Sequence, residues 1–459
     1  MILGLKGRNI LKFLVNDKSF YKDVVKIAVP IALQNVITIG VNLADTVMVG
    51  ALGETTLSAT ALANQFVNIF QICCMGLGMG ASVLTARFWG SKDIQNLKKT
   101  LTLMLKLCFS IALIVFTIPT IFCPDFLMRI YTNDISVINE GILYFKWMIP
   151  CYLLQGLALT SSIVLRSVGQ VNVPLYSSIG AFFVNIFFNY IFIFGKLGAP
   201  EMGIQGAGIG TLIARSFEFI FICGYLIFID QKIGYRIKDL GMKCSDLLST
   251  YIKISIPVFV SDTLLALGNS AVAMVMGRIG KEFVSANSIT VVTQQLSTVL
   301  IQGICMASSF MTGHTLGRGE KEKAQEQAWT FLTLSAIVGI VGGGIILLIK
   351  TPVINCYNVT AETKALADEL MISIAIIVVF QSMNSILTKG VLRGGGDTKF
   401  LMVADILFLW VLSVPLGALA GLYWHLDAFW IYFFLKIDQV VKSFWCIFRL
   451  RSGKWIKSI

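Results

Sequence analysis

The second half of the chain repeats the first about 227 residues later and in the same direction. Lys26, Ile27, Pro30, Ala44, Gly50, Gly53, Gly76, Met79, Ser82, Thr85 and Gly90 recur as Lys253, Ile254, Pro257, Ala271, Gly277, Gly280, Gly303, Met306, Ser309, Thr312 and Gly317. The register still holds at Leu165-Arg166 against Leu392-Arg393. Both halves are too apolar for water: 56% of the 459 residues are hydrophobic and the mean hydropathy is +0.79. Two similar sets of membrane helices that enclose a midplane site and rock about it are the usual build of a carrier. The duplication therefore points to transport before any single residue is weighed.

Stretches of roughly 20 to 28 apolar residues, enough to cross ~30 Å of hydrocarbon at 1.5 Å per residue, fall near 25–50, 57–86, 100–122, 141–164, 173–195, 204–229, 252–278, 284–312, 328–349, 367–391, 400–422 and 427–448. The expected fold is an all-α integral membrane protein with twelve transmembrane helices in two pseudo-symmetric six-helix lobes. The expected boundaries are an N-terminal arm 1–24, an N-lobe 25–232, a linker 233–250, a C-lobe 251–448 and a basic tail 449–459.

The net charge of +12 reads as membrane orientation rather than nucleic-acid binding. Roughly 25 basic residues fall in alternate loops on one side and about six on the other, the positive-inside asymmetry. Both termini are thus expected in the cytoplasm of a multi-pass plasma (inner) membrane protein, with anionic lipid as partner of the basic face. No cleavable signal is expected in the Lys-rich first 26 residues. Ten scattered cysteines form no disulfide framework, and two histidines cannot build a His-based metal cluster. Gly76-Leu77-Gly78-Met79-Gly80 reads as close helix packing. Gly394-Gly395-Gly396-Asp397-Thr398 lacks the Gly-Lys-Ser/Thr ending of a phosphate loop, so no nucleotide cofactor is expected and an ion gradient is the natural energy source. Neither His-rich spans nor an HExxH pattern supports a membrane-embedded enzyme.

An ionisable group at membrane depth is costly and marks function by default. Asp45 lies about five residues from the outer end of span 1, near 7–8 Å along the axis, and its repeat mate is Val272. The shared architecture of the lobes thus does not require this charge. Burial favours the neutral form of a carboxyl, which suits a group that binds and releases a proton. Asn185 and Asn189, one turn apart on span 5, and Thr211 on span 6 are candidate neighbours, and Gln65 a candidate cavity-lining group. Pro30 removes a backbone hydrogen bond and makes span 1 easy to bend. In the second half the candidate substrate or ion groups are Asp262, Asp405, Asp438 and Gln294. Asp262 has no basic residue near it in sequence, which makes it the better substrate-facing choice. Asp405 sits close enough to its span end to meet cytoplasmic water. Asp438 has Lys442 at i+4 and reads equally as a helix-surface ion pair. Arg215 and Glu218 read as an internal pair.

Ile27-Ala28-Val29-Pro30, Ala44-Asp45-Thr46-Val47-Met48-Val49-Gly50, Ala61-Leu62-Ala63-Asn64-Gln65, Gly206-Ala207-Gly208-Ile209-Gly210-Thr211 and Leu392-Arg393-Gly394-Gly395-Gly396-Asp397-Thr398 together resemble the multidrug and toxic compound extrusion (MATE) family over nearly the whole chain. The resemblance implies proton- or sodium-coupled antiport of cationic or amphiphilic drugs, with Asp45 as the coupling aspartate and Pro30 as the proline at which span 1 bends. It also implies a role near Asp45 for Asn185, Ala207 and Thr211. Two departures stand out. Asn189 replaces a second aspartate found in some members, which leaves a sodium site less well charged. The acids that NorM-like members carry in spans 7 and 10 correspond here to Leu265 and Ser382. The reading is a drug:proton antiporter, with sodium possible, acting on small lipophilic cations as a monomer. The alternative is a flippase for a lipid-linked saccharide or other lipid-like substrate.

Overall fold

A computed structural model describes residues 14–357 and 359–457, so most of the expected N-terminal arm, residues 1–13, lies outside the described residues. In hydrocarbon each backbone N–H and C=O must be satisfied within the chain, and a helix does this segment by segment. The long helices are α1 Lys18–Gly50, α2 Glu54–Gly90, α3 Ile94–Phe122, α4 Ile135–Ser167, α5 Asn172–Phe194, α6 Ile204–Ile229, α7 Ser245–Ile279, α8 Lys281–Gly317, α9 Lys321–Asn355, α10 Ala361–Leu392 and α11 Thr398–Tyr423. Ten of these are long and apolar enough to cross a membrane, eleven when α8, bent by 47° between Gln295 and Ser297, is counted. The last segment is broken into α12 Ala428–Leu435 and α13 Ile437–Arg451. Counted with it, the described residues hold twelve long helical segments, six up to Ile229 and six from Ser245 on.

The surface is inverted relative to a soluble protein. Leu43, Val47, Phe183, Phe228 and Leu348 are exposed, whereas Thr85, Thr160, Ser161, Ser308 and Thr312 are buried. Large apolar side chains facing outward fit a lipid solvent, and buried hydroxyls serve helix contacts.

The described residues form two compact units, Leu33–Phe259 and Val260 onward together with the chain before Leu33. The two cuts lie 227 residues apart, at mate positions, each three residues beyond its proline, Pro30 or Pro257. The opening part of α1 packs in the unit of the later helices, and the opening part of α7 packs in the unit of the earlier ones. A duplicated glycine makes both crossings possible. A Cβ on Gly76 in α2 would stand 3.1 Å from Phe259 Cα in α7, and one on Gly303 in α8 would stand 2.4 Å from Ala28 O in α1. Overpacking of this kind costs about 1–3 kcal/mol. Gly76→Val and Gly303→Val should each lower the thermal unfolding midpoint in detergent. Gly344→Val, where a Cβ meets nothing within 4 Å, should leave it nearly unchanged. Equal effects at all three positions would remove the packing explanation.

Within the first unit α5 packs along α6, and α4 packs against both α2 and α6. Within the second, α10 packs against α8 and α9, repeating the arrangement of α4 with α2 and α3.

Candidate functional site

Asp45 lies on the outer part of α1, half-buried, facing α5. Asn189 Nδ2 donates to Asp45 Oδ1 at 2.6 Å and reaches Asn185 Oδ1 at 3.4 Å. The two asparagines share a face because they are four residues apart. Their side chains fit because α6 opens on glycines: a Cβ on Gly210 would stand 2.0 Å from Asn189 Oδ1. Thr211 follows, half-buried, beside the Tyr144 hydroxyl, which donates weakly to Asn64 Oδ1 at 3.4 Å. Arg215, one turn beyond Thr211, is the cation whose charge reaches Asp45, and its guanidinium is bound to Glu218 at 2.9 Å, the internal pair expected from their spacing. Asn189 Oδ1 is buried without a hydrogen-bond partner. Gln65 is exposed on α2, away from this cluster of bonds. The structure thus joins Asp45, Asn185 and Asn189, adds Tyr144 and Arg215 to their surroundings, and leaves Gln65 apart. Pro30 sits inside the continuous helix α1, as Pro257 does in α7.

The second-half acids have a different environment. Asp262 was expected to lack a basic neighbour, but Arg393, 131 residues on, donates to its two oxygens at 3.0 and 3.4 Å. Sequence proximity missed this partner because α7 and α10 meet only in the fold. Asp405 was open between a substrate or ion site and cytoplasmic water; its side chain is 8% exposed and accepts from Lys442 Nζ at 3.1 Å and from Ser261, so it does not face water. Asp438 meets Lys442 at 3.0 Å with the expected i,i+4 spacing, yet both side chains are 1% exposed, so the pair belongs to the interior rather than the helix surface. One lysine therefore serves two carboxylates on α11 and α13. Gln439 links Asp438 onward to Asn384. Gln294 binds Gln381 at 2.9 Å and accepts from Tyr432, an interhelical bridge. Ser382 donates to Ser335 O.

The halves build one motif with two chemistries. In the first unit Arg166, at the end of α4, donates to Gln34 Oε1 at 2.7 Å, and Gln34 donates to Ser178 Oγ at 2.7 Å. In the second unit the mates of Gln34, Arg166 and Ser178 are Ser261, Arg393 and Asp405. There Ser261 donates to Asp405 while Arg393 turns to the neighbouring Asp262. The repeat of the arginine was the one sequence signal that pointed to this motif. Among the described residues Asp262, Asp405 and Asp438 each have a cation in ion-pair contact, and Asp45 has none.

The MatE family model matches residues 30–191 and again 257–419, two matches starting 227 residues apart. The protein named "Probable multidrug resistance protein NorM" of Thermotoga maritima is 26% identical over 444 residues, 95% of this chain and 93% of that protein. A solved structure described as MATE in the straight conformation superposes with a TM-score of 0.85 at 20% identity, over 97% of this chain and 99% of that one. A transporter of the MOP superfamily from Pyrococcus furiosus, described as having a binding pocket of reverse polarity that suggests a different function, superposes with a TM-score of 0.83 at 20% identity, over 98% and 99%.

Proposed function

The chain belongs to the MatE family of membrane transporters, and from that premise we propose that it exports cationic or amphiphilic small molecules in exchange for protons, with Asp45 as the coupling group. One observation carries the reading: Asp45 is the candidate acid whose hydrogen-bond partner is a neutral amide and which has no cation in ion-pair contact among the described residues, Arg215 being bound to Glu218. A carboxylate already bound to lysine or arginine has little reason to take up a proton, since neutralising it would strand the buried cation. Asp45 carries no such penalty.

The Pyrococcus furiosus protein, described with its reversed pocket, has the same fold, so the fold by itself does not choose the charge of the cargo. An acid with no cation in contact favours a cationic cargo, in line with the multidrug resistance name of the Thermotoga maritima relative. In the proposed cycle a lipophilic cation enters from the cytoplasm or inner leaflet while Asp45 is ionised. After the change of access a proton from outside neutralises Asp45, α1 bends near Pro30, and the cation leaves. One proton driven by about 150–200 mV supplies roughly 3.5–4.6 kcal/mol. Exchanged for a monovalent cation the proton moves no net charge, so only the pH part of that force counts, and each pH unit sustains about a tenfold gradient. Asn189 in place of a second carboxylate weakens the case for sodium, a hard cation that prefers charged oxygen. The scheme places both termini in the cytoplasm, following the basic loops, in the inner membrane, as a monomer and with no organic cofactor.

Purified protein in proteoliposomes, loaded with ethidium under an imposed pH or sodium gradient, separates the couplings. Proton drive predicts movement with the pH gradient at constant sodium. Movement with sodium alone would overturn the proton assignment, and ion currents without exchange would overturn the carrier reading itself.

A further inference from the structure

We propose that the unit Leu33–Phe259 holds an anionic phospholipid, with an acyl chain in a cavity between α3, α4, α6 and the linker and the headgroup at Lys106. The cavity encloses about 510 Å³, and its walls include Lys106 and Phe109 of α3, Leu157 of α4, Phe219 and Leu226 of α6, and Leu240 of the linker. A volume of this size is ordinary for a ligand site of ~300–1,000 Å³.

The polar atoms in its walls already have partners inside the protein. Ser110 Oγ donates to the Lys106 carbonyl at 2.9 Å, Ser161 Oγ and Cys223 Sγ lie 3.9 Å apart, and Tyr235 OH bonds to Thr102 Oγ1 at 2.8 Å. The interior therefore offers a polar ligand nothing and suits a hydrocarbon chain. Lys106 is the exception. Lys98 is bound to Asp239 and Lys99 to Asp246, whereas Lys106 is exposed, donates only to the Met242 carbonyl at 3.2 Å, and has no carboxylate partner among the described residues. Lys238 and Lys243 stand exposed on the same linker and add positive charge.

The ligand is thus apolar along its body and anionic at one end. Phe109, in the cavity wall, is exposed and gives the cavity an apolar outer edge. A membrane supplies such a ligand directly, and basic pockets between helices on the cytoplasmic side are where anionic headgroups collect. The inference rests on the reading above only for the cytoplasmic placement of the linker. The assay below uses neither sidedness nor transport, so its failure would leave that reading untouched.

Native mass spectrometry of the full-length protein in detergent tests it, with phosphatidylglycerol and phosphatidylcholine titrated in competition. Wild type is expected to retain one phosphatidylglycerol with about fivefold preference, the contribution of one basic residue near a membrane surface. Lys106→Gln should keep a lipid but lose the preference. Leu157→Trp, which fills the cavity, should lose both lipids, while Leu157→Met keeps them. Equal retention of the two lipids by wild type, or an undiminished preference in Lys106→Gln, would overturn the proposal. Lys106 is a surface position, so that variant decides the matter even if the tryptophan variant does not fold.

Discussion

Asp45→Asn should reduce the concentration gradient that a proton force sustains by about 100-fold or more, while leaving substrate binding and downhill exchange largely intact. The expected size follows from the pH difference alone, because exchange of one proton for a monovalent cation moves no net charge: each pH unit supplies about 1.4 kcal/mol, so an imposed difference of about two units sustains roughly 100-fold, all of which is lost when the coupling group cannot titrate. Asparagine keeps the shape of the side chain and still accepts from Asn189 Nδ2, the 2.6 Å bond made by Asp45, so the fold should survive. Ethidium accumulation in everted vesicles under an imposed pH gradient, paired with counterflow at zero gradient, reads the two quantities separately. A variant that still concentrates substrate would move the coupling to the second half, where Asp262, Asp405 and Asp438 lie. Loss of counterflow as well would make Asp45 a substrate ligand first and a proton carrier second.

The second large effect is expected at Arg393 and Asp262. Removing one partner leaves the other charge buried and unpaired, since the two side chains are 4% and 17% exposed. Such losses run to about 3–5 kcal/mol. Arg393→Gln and Asp262→Asn should each strongly lower the thermal midpoint, and the double variant should recover part of the loss, a coupling of about 1–3 kcal/mol. The repeat supplies an internal control. Arg166→Gln removes a bond to neutral Gln34, leaves no carboxylate behind in ion-pair contact, and should cost less than its mate. If the two arginine variants lose the same stability, the charge on Asp262 is not what Arg393 serves.

The sequence by itself determined the parts that depend on composition and periodicity. Hydrocarbon forces each apolar stretch into a helix, so the twelve segments could be placed from run length alone, including the broken last one near 427–448. The 227-residue register identified which helices are equivalent, and it placed Pro30 with Pro257 and Arg166 with Arg393. Local spacing also gave the pairs Asn185 with Asn189 and Asp438 with Lys442, because neighbours at i+4 meet on any helix.

Only the tertiary structure decided what each buried charge faces. Asp262 looked unpartnered until α10 brought Arg393 to it, and Asp405, open between a site and cytoplasmic water, was given a partner when α13 brought Lys442. Asp45, which the sequence marked by the same rule of intramembrane charge, came out different because α5 offers it amides rather than a cation. The exchange of helix openings between the two units was equally hidden. It depends on Gly76 and Gly303 admitting a backbone from elsewhere in the chain, and a glycine in a sequence does not say which backbone will approach it. Charge pairing and close approach are properties of distance, and for residues on different helices, 37 positions apart for Asp405 and Lys442 and 131 for Asp262 and Arg393, distance is set by packing.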